Sequence, residues 1–405
     1  MRKAIGGLLV LASLALLAYA FFKPKAPLVN LRVKCPEAWA ANLQVAAHQY
    51  ERDYGAQIQI EDPLSIEPAD LVLGLADSLQ HPKKNGDIKE TITFAKEGEK
   101  DVQAAVPSDC QQPSDALKFA RYLAAPETGA SAFAGSQLRH VPGDSWKEKP
   151  ELILYSGGVN RPAVEELLEN FAEREGIDLT SVFNGCGVLC SAMQTMTDSE
   201  NPRFPDAYYA CDLCFIPPVA EHFSEVVLLT ETDIGIAVPI DNPHGIKTLA
   251  DLAKPGLKVG LCNQKQSTLG YMTAGILKSS SLDTAIRKNM AVEVPTADFL
   301  ITQLRSDALD AAIVYRVNAE LQKKEIHFIK IDHEGARAVQ PFSVRSDSEK
   351  RQLANRLQDH FLAHPEAFTE TGFIWRGDQG AVKSSEIEIP EWLRVAPRAS
   401  EKKTK

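Results

Sequence analysis

The feature that most constrains the fold is a strand, a tight turn and a helix that follow one another from residue 151. Leu152 to Tyr155 form a short apolar run, Ser156 to Gly158 form the turn, and apolar residues recur at helical spacing from about Arg161. Similar strand and helix patterns alternate downstream as far as Trp375. Such alternation predicts the α/β fold class, with sheets that helices cover on both faces.

The same strand–helix pattern occurs nearer the N-terminus, from Leu31. Its final helix carries the sequence YLAAPE at residues 122–127, which parallels FLAHPE at residues 361–366. Just upstream, Val102-Gln103 parallels Val339-Gln340. Matches in the same order favour an internal duplication over coincidence.

The two copies differ in the middle, because only the second contains a further βα-rich stretch from about Glu231 to Lys330. We therefore expect two hinged α/β lobes with a ligand cleft in the second copy and a single truncated lobe in the first. The first copy has Cys35-Pro36-Glu37 in place of the glycine turn, which predicts a docking or spacer domain. The expected domains are 1–26, 27–146, 147–376 and a polar tail, 377–405.

The N-terminus carries an uncharged run from Ala4 to Phe22 between basic residues. As a helix it would nearly match the hydrocarbon thickness of a bilayer. This predicts a hydrophobic helix that is a signal peptide or a signal anchor, with a cleavage site at Ala18-Tyr19-Ala20. The apolar run continues past that site, which favours a periplasmic protein anchored in the cytoplasmic membrane by residues 4–22.

Composition excludes several classes of function. With 44% apolar and 24% charged residues the chain is globular, and a net charge of −10 argues against binding to nucleic acid. The sequence contains none of the common catalytic or nucleotide-binding motifs, and its nine histidines lack metal-ligand spacing. We expect a protein that is not an enzyme and that has no cofactor or metal.

Glycine- and hydroxyl-rich corners follow several strands of the second copy. In α/β proteins ligands bind beyond the carboxyl ends of strands, where helix N-termini direct free N–H groups outward. Such groups can hold a dehydrated anion. The corners are residues 156–158 (SGG), 184–187 (NGCG), 263–270 (NQKQSTLG), 295–298 (PTAD) and 315–316 (YR).

These corners and their flanks resemble the molybdate-type solute-binding proteins of bacterial ABC importers, which have a periplasmic-binding-protein fold. The resemblance covers nearly all of residues 151–375. The stretches that carry it are 152–162 (LILYSGGVNRP), 184–189 (NGCGVL), 205–210 (PDAYYA), 251–261 (DLAKPGLKVGL) and 312–319 (AIVYRVNA).

The resemblance implies a small oxyanion, such as molybdate or tungstate, that is delivered to an ABC permease. That family holds its ligand by two serine hydroxyls, backbone N–H groups and a tyrosine hydroxyl. The first serine position falls near Gly158 and the second on Cys186; because a thiol is a weak donor, the identity of the anion stays open. The predicted ligand-binding residues are Ser156, Gly157, Gly158, Gly185, Cys186, Gly187, Ser267, Thr268, Leu269, Phe299, Tyr315 and Arg316.

Four of the seven cysteines cluster, at 186, 190, 211 and 214. Outside the cytoplasm nearby cysteines usually pair, and a disulfide between Cys186 and Cys211 would join two loops that follow strands of the same lobe at its ligand-facing edge. Free buried thiols are an alternative. A set of four thiolates would instead make a redox or metal-thiolate protein. A ligand-sensing module without a transport role is a further alternative.

Overall fold

A computed structural model describes residues 29–134, 137–196 and 201–394 in two compact units. The first unit comprises residues up to Ala124 together with Thr128–Pro142, and the second comprises Ala125–Glu127 and the chain from Gly143. The predicted hydrophobic helix and the end of the predicted tail lie outside the described residues. Within the described ranges, no helix is both long and apolar enough to cross a membrane.

The first unit is built on a six-stranded sheet in the order β2-β1-β3-β5-β4-β6. Helix α1 covers it with Leu43, Ala47 and Tyr50, which recur at helical spacing and are buried. The strands are β1 (Asn30–Lys34), β2 (Gln57–Glu61), β3 (Leu71–Leu75), β4 (Ile88–Glu97), β5 (Lys100–Pro107) and β6 (Leu138–His140). The helices are α1 (Glu37–Tyr54), α2 (Ala76–Lys84), α3 (Pro113–Ala124) and α4 (Gly129–Ala132).

The second unit has one sheet that passes through two lobes. The first lobe contains the order β10-β15-β9-β7-β8, in which β7 is parallel to both of its neighbours. Its strands are β7 (Glu151–Gly157), β8 (Asp178–Asn184), β9 (Ala207–Tyr209), β15 (Arg337–Val344), β16 (Ile374–Trp375), β17 (Ala381–Lys383) and the first part of β10 (Glu225–Pro239). Its helices are α5 (Arg161–Glu175), α6 (Cys186–Thr195), α11 (Arg351–Leu362) and α12 (Pro365–Thr369).

The second lobe continues the sheet in the order β12-β11-β13-β10, with β14 also paired to β10. Its further strands are β11 (Val259–Cys262), β12 (Met290–Val294), β13 (Ala311–Tyr315) and β14 (Ile326–Lys330). Its helices are α7 (Thr268–Ser279), α8 (Asp283–Lys288), α9 (Ala297–Arg305) and α10 (Arg316–Glu320). The last described helix, α13 (Glu391–Arg394), packs on α7, where the Tyr271 hydroxyl donates to the Leu393 carbonyl over 3.0 Å.

Strand β10 is the main connection between the two lobes. It pairs with β15 of the first lobe up to Asp233 and with β13 of the second lobe from Ile234. The chain returns from β14 to β15 through residues 331–336. The α/β prediction is confirmed, but the sheets are mixed rather than wholly parallel, because β10 runs antiparallel to β13, β14 and β15.

The first unit and the first lobe share a strand order. The series β2-β1-β3-β5-β4 corresponds position by position to β8-β7-β9-β15-β10. The opening helix of each ends at a glycine in the left-handed region, Gly55 at φ 68° and Gly176 at φ 66°. The shared strand order is consistent with the duplication that the sequence matches predict.

Candidate functional site

Five chain segments that begin helices surround a small cavity between the two lobes. The first lobe contributes Gly158, which starts a short helical turn leading into α5, and Gly185 before α6; the second contributes the starts of α7, α9 and α10. The cavity has a volume of about 20 Å³, room for one or two water-sized groups. None of α6, α7, α9 and α10 has a side-chain cap. Their first N–H groups are therefore available to a ligand.

Two glycines allow the lobes to meet at this cavity. A Cβ atom on Gly185 would lie 2.2 Å from the Gln266 carbonyl oxygen, and one on Gly187 would lie 2.2 Å from that of Lys265. Both glycines belong to the first lobe and both carbonyl groups to the second. The lobes are thus closed on one another at a distance that only glycine permits.

Two buried polar atoms of the cavity wall have no hydrogen-bond partner among the residues that the structure describes. They are the Tyr315 hydroxyl and the Asn318 Oδ1 atom, on residues that are 3% and 4% exposed. The other end of the Asn318 amide is occupied, because Nδ2 donates to Asp298 Oδ1 over 3.0 Å. Unpaired buried polar atoms are costly in a folded protein, so both atoms are candidates for ligand contacts.

Cys186 and Cys211 lie together beside the cavity, but the predicted disulfide is wrong: both are free thiols, with Sγ atoms 3.1 Å apart. A disulfide would need about 2.05 Å between these atoms. The pair fits because residue 157 is glycine, since a Cβ there would lie 2.1 Å from the Cys211 Sγ atom. Two thiols, and not a covalent bond, therefore connect the corner at residues 184–187 with the loop that follows β9.

The surroundings of Cys186 favour its thiolate form. Burial opposes ionisation, but the Cys211 thiol and amide and the nearby hydroxyls of Thr268 and Tyr208 outweigh it and lower the pKa of Cys186 to about 7. The Cys211 amide N–H donates to the Cys186 Sγ atom over 3.1 Å. The hydrogen bond to Cys186 and burial hold the pKa of Cys211 well above its usual value. Of the two thiols, Cys186 is therefore the one that ionises more readily.

A family model for bacterial extracellular solute-binding proteins matches residues 152–373, which include the whole site. The chain belongs to this family. A binding protein of Haemophilus influenzae is 21% identical over 227 residues, which are 55% of this chain and 91% of that protein. The solute-binding protein described here is accordingly extracytoplasmic.

The chain is also similar to solved structures at low sequence identity. The periplasmic molybdate-binding protein of Azotobacter vinelandii is 14% identical, with 56% of this chain and 99% of that chain covered and a TM-score of 0.46. The sulfate-binding protein SubI of Mycobacterium tuberculosis is 11% identical, with 55% and 86% covered and a TM-score of 0.46.

The predicted ligand-binding residues of the solute-binding protein occupy several different positions. Gly158, Gly185, Ser267 and Tyr315 line the cavity, whereas Cys186, together with Gly157, lies at the thiol pair. Gly187 contacts the opposite lobe, and Thr268 and Leu269 are buried in the first turn of α7.

The remaining three predicted residues point elsewhere. The Ser156 hydroxyl donates to the Gly157 carbonyl oxygen over 3.3 Å and is fully buried. The Phe299 ring is largely exposed, but the prediction concerns its backbone N–H near the start of α9 and stays a prediction. Arg316 lies 3.4 Å from Asp233 and stacks on Phe328, so its charge pairs with a carboxylate where β10 crosses between the lobes.

The residues that sequence reasoning missed belong to α9 and α10. Asp298 lies in the predicted corner at residues 295–298 but was not among the predicted ligand-binding residues. Partial burial raises the pKa of its carboxyl group, although the charge of Arg161 and the hydrogen bond from Asn318 lower it. Asn318 follows Tyr315 by three residues, which places both on one face of α10. That spacing was the available signal.

The metal-thiolate alternative is not favoured. Within the described ranges, no group of three or more His, Cys, Asp or Glu residues is arranged to hold a metal ion. Cys190 instead lies 3.6 Å from the Tyr208 hydroxyl and donates to the Phe215 carbonyl oxygen over 3.4 Å. The thiols of this region therefore make local hydrogen bonds.

The thiolate of Cys186 is expected to make the stability of the second unit depend on pH. Because its pKa is about 7 in the folded state against 9.0 ordinarily, the unfolded chain binds more protons between these values. The contribution to the free energy of unfolding therefore rises from pH 7 to 9, by at most about 3 kcal/mol, and is lost as the pH falls through 7. Above pH 9 the trend reverses, because unfolded Cys211 ionises while folded Cys211 keeps its proton.

This prediction is checked by urea unfolding with reductant across that pH range. The difference between the wild type and Cys186→Ser should grow from pH 7 to 9. Cys110→Ser makes the same chemical change in the first unit and serves as the control. A difference between wild type and Cys186→Ser that does not change with pH would contradict a thiolate.

Proposed function

We propose that residues 147–376 form a non-catalytic receptor that closes two lobes on a small oxyanion and presents it to an ABC permease. The observation that carries this proposal is the convergence of uncapped helix N-termini on one cavity. Helices α6, α7 and α9 each contain at least nine residues, enough for a developed dipole at the ligand end.

The polar groups of the cavity suit an anion that has lost its water. The hydroxyls of Ser267, Thr296 and Tyr315 add donors to the backbone N–H groups. Among the described residues that line the cavity none is Lys or Arg, so dipoles rather than full charges would hold the ligand. Dipolar sites of this kind bind dehydrated anions through backbone N–H groups.

Binding would require the lobes to open. A cavity of about 20 Å³ has room for one or two water-sized groups, so its walls must move apart before an oxyanion with several oxygen atoms can bind between them. The crossover of β10 between Asp233 and Ile234 is where a hinge would bend. A ligand that contacts both lobes then shifts the equilibrium towards closure.

The rest of the chain would place this receptor at the membrane. We propose that residues 4–22, which lie outside the described residues, tether the protein and that residues 27–146 act as a docking or spacer domain. Protease accessibility and fractionation of intact cells would test the tether, since a cleaved protein would leave the membrane fraction.

A small oxyanion is expected to stabilise the full-length protein against heat. At a concentration about 100 times Kd it would add about 2.7 kcal/mol, or roughly 5–10 °C in Tm for a unit of this size. Thermal unfolding in molybdate, tungstate, sulfate, phosphate and arsenate, with chloride at matched ionic strength as the control, measures this. Failure of every oxyanion to raise Tm would refute the proposed function.

Tyr315→Phe provides a matched variant for the same experiment. It removes a hydroxyl that has no partner in the protein, so the unliganded Tm should be unchanged or higher. Loss of one hydrogen bond to a charged ligand should weaken binding by roughly 10- to 100-fold. Unchanged affinity would show that the anion does not contact this hydroxyl.

A further inference from the structure

The cavity offers the ligand a hydrogen-bond acceptor as well as donors. Asn318 is 4% exposed, its side chain lines the cavity, and its Oδ1 atom has no partner. A carbonyl oxygen in that position can be satisfied only by an N–H or O–H group. A ligand that presents only lone pairs would leave the Asn318 oxygen without a hydrogen bond, and the negative oxygens of the ligand would repel it.

Asp298 determines which end of the Asn318 amide faces the cavity. Amide nitrogen and oxygen are interchangeable in shape, so their orientation follows from the hydrogen-bond network. The Nδ2 atom donates to Asp298 Oδ1 over 3.0 Å, and a carboxylate accepts from Nδ2 but repels Oδ1. The acceptor end is thereby held towards the ligand, which makes Asp298 a positioning residue.

The anionic groups around the cavity act in the same direction. Asp298 lines its wall, Cys186 lies behind it in a setting that favours a thiolate, and no lining residue in the described ranges is Lys or Arg. Near Asn318 and Asp298, a protonated ligand oxygen is repelled less than an ionised one. The N-termini of α6 and α7 remain available to bind its ionised oxygens.

We propose that this site selects an oxyanion that carries a hydroxyl group, such as hydrogen phosphate or hydrogen arsenate, over a fully ionised one such as sulfate or molybdate. The hydroxyl donates to Asn318 Oδ1, and the remaining oxygens accept from the helix N-termini and Tyr315. This inference rests on the proposed oxyanion-binding function and names the class of its ligand.

Phosphate and sulfate provide the sharpest test. At about pH 8 both are tetrahedral dianions, but phosphate keeps one proton whereas sulfate has none. Calorimetric titration of the full-length protein with each anion is expected to give a Kd for phosphate about 10- to 100-fold below that for sulfate. Arsenate should follow phosphate, and molybdate should follow sulfate.

Two variants test the assigned residues. Asp298→Asn frees the Asn318 amide to turn its Nδ2 atom to the cavity, and Asn318→Leu removes the acceptor; each should bring the ratio of the two Kd values close to one. Asp307→Asn is the matched control, because Asp307 follows the other end of α9 in a left-handed conformation, φ 57°, that asparagine also adopts. Its ratio should equal that of the wild type.

The outcomes separate this inference from the proposed function. If no oxyanion binds, the proposed function fails. If sulfate or molybdate binds as tightly as phosphate, the oxyanion receptor stands and the selection by Asn318 is refuted. If Asn318→Leu does not fold, Asp298→Asn decides, since Asp298 is an exposed residue whose change costs little stability. A ratio unchanged in Asp298→Asn would refute its positioning role.

Discussion

Replacing Gly185 with alanine is expected to weaken ligand binding by about 10- to 100-fold while the protein stays folded. The new Cβ atom would lie 2.2 Å from the Gln266 carbonyl oxygen of the opposite lobe, a backbone atom that cannot rotate away. Overpacking of this kind costs about 1–3 kcal/mol, and here the cost falls on the closed state alone. A ligand that needs closure loses the same free energy from its binding.

Gly158→Ala is the matched control for lobe closure. Gly158 also lies at the cavity and faces the second lobe, but its added Cβ would meet Thr296 Cγ2 at 3.6 Å, an ordinary contact. Small-angle scattering should show an expanded second unit for Gly185→Ala and wild-type dimensions for Gly158→Ala. Calorimetry reports the affinity of each. Wild-type affinity in Gly185→Ala would mean that ligand binding does not require this contact.

The corners of the site were predictable because their physics is local. A strand that ends in glycine or a hydroxyl residue and continues as a helix places N–H groups at the sheet edge in any α/β fold. Gly158, Gly185, Ser267 and Tyr315 are such residues, and all four line the cavity. Their arrangement around one cavity then follows from the way the lobes fold back on each other.

What the sequence could not provide was the direction of side chains at those corners. Arg316 follows Tyr315 directly and was expected at the ligand, yet its guanidinium turns to Asp233 at the crossover. That aspartate lies far away along the chain, so no local pattern pairs the two residues. The prediction of a Cys186–Cys211 disulfide was wrong for a related reason. Clustered cysteines in the sequence indicate that the residues lie close together, but not that the two sulfur atoms have the geometry of a bond.

The predicted duplication has a simple physical interpretation in the sheet order. In the first unit β4 and β5 form a hairpin that turns at Gly98, with φ 60°. In the second unit the corresponding strands β10 and β15 are also antiparallel neighbours, but the whole second lobe lies between them in sequence. Because antiparallel neighbours need only a short turn, a lobe can be absent at this point without altering the rest of the sheet.

Arg356→Leu is expected to destabilise the second unit by about 3–5 kcal/mol, or roughly 6–20 °C in Tm. Arg356 of α11 and Glu175 at the end of α5 form a two-pronged ion pair, with N–O distances of 2.6 and 3.0 Å, and their side chains are 7% and 1% exposed. Removing the cation leaves a carboxylate buried without its partner. Thermal and urea unfolding measure the loss.

The pair Arg305–Glu325 is the control, because it has the same two-pronged geometry, 2.8 and 3.0 Å, but lies at the surface. Arg305→Leu should leave Tm almost unchanged, because water and salt screen an ion pair at the surface. The double variant Glu175→Leu with Arg356→Leu should recover most of the loss, since two apolar side chains can replace a buried ion pair. If the double variant is as unstable as Arg356→Leu alone, the loss comes from packing between α5 and α11 and not from an unpaired charge. Asp144, which precedes β7 in the chain, accepts hydrogen bonds from two backbone amides in the first turn of α11, Gln352 N at 2.8 Å and Leu353 N at 2.9 Å. A packing defect at α11 would therefore also affect the segment around Asp144.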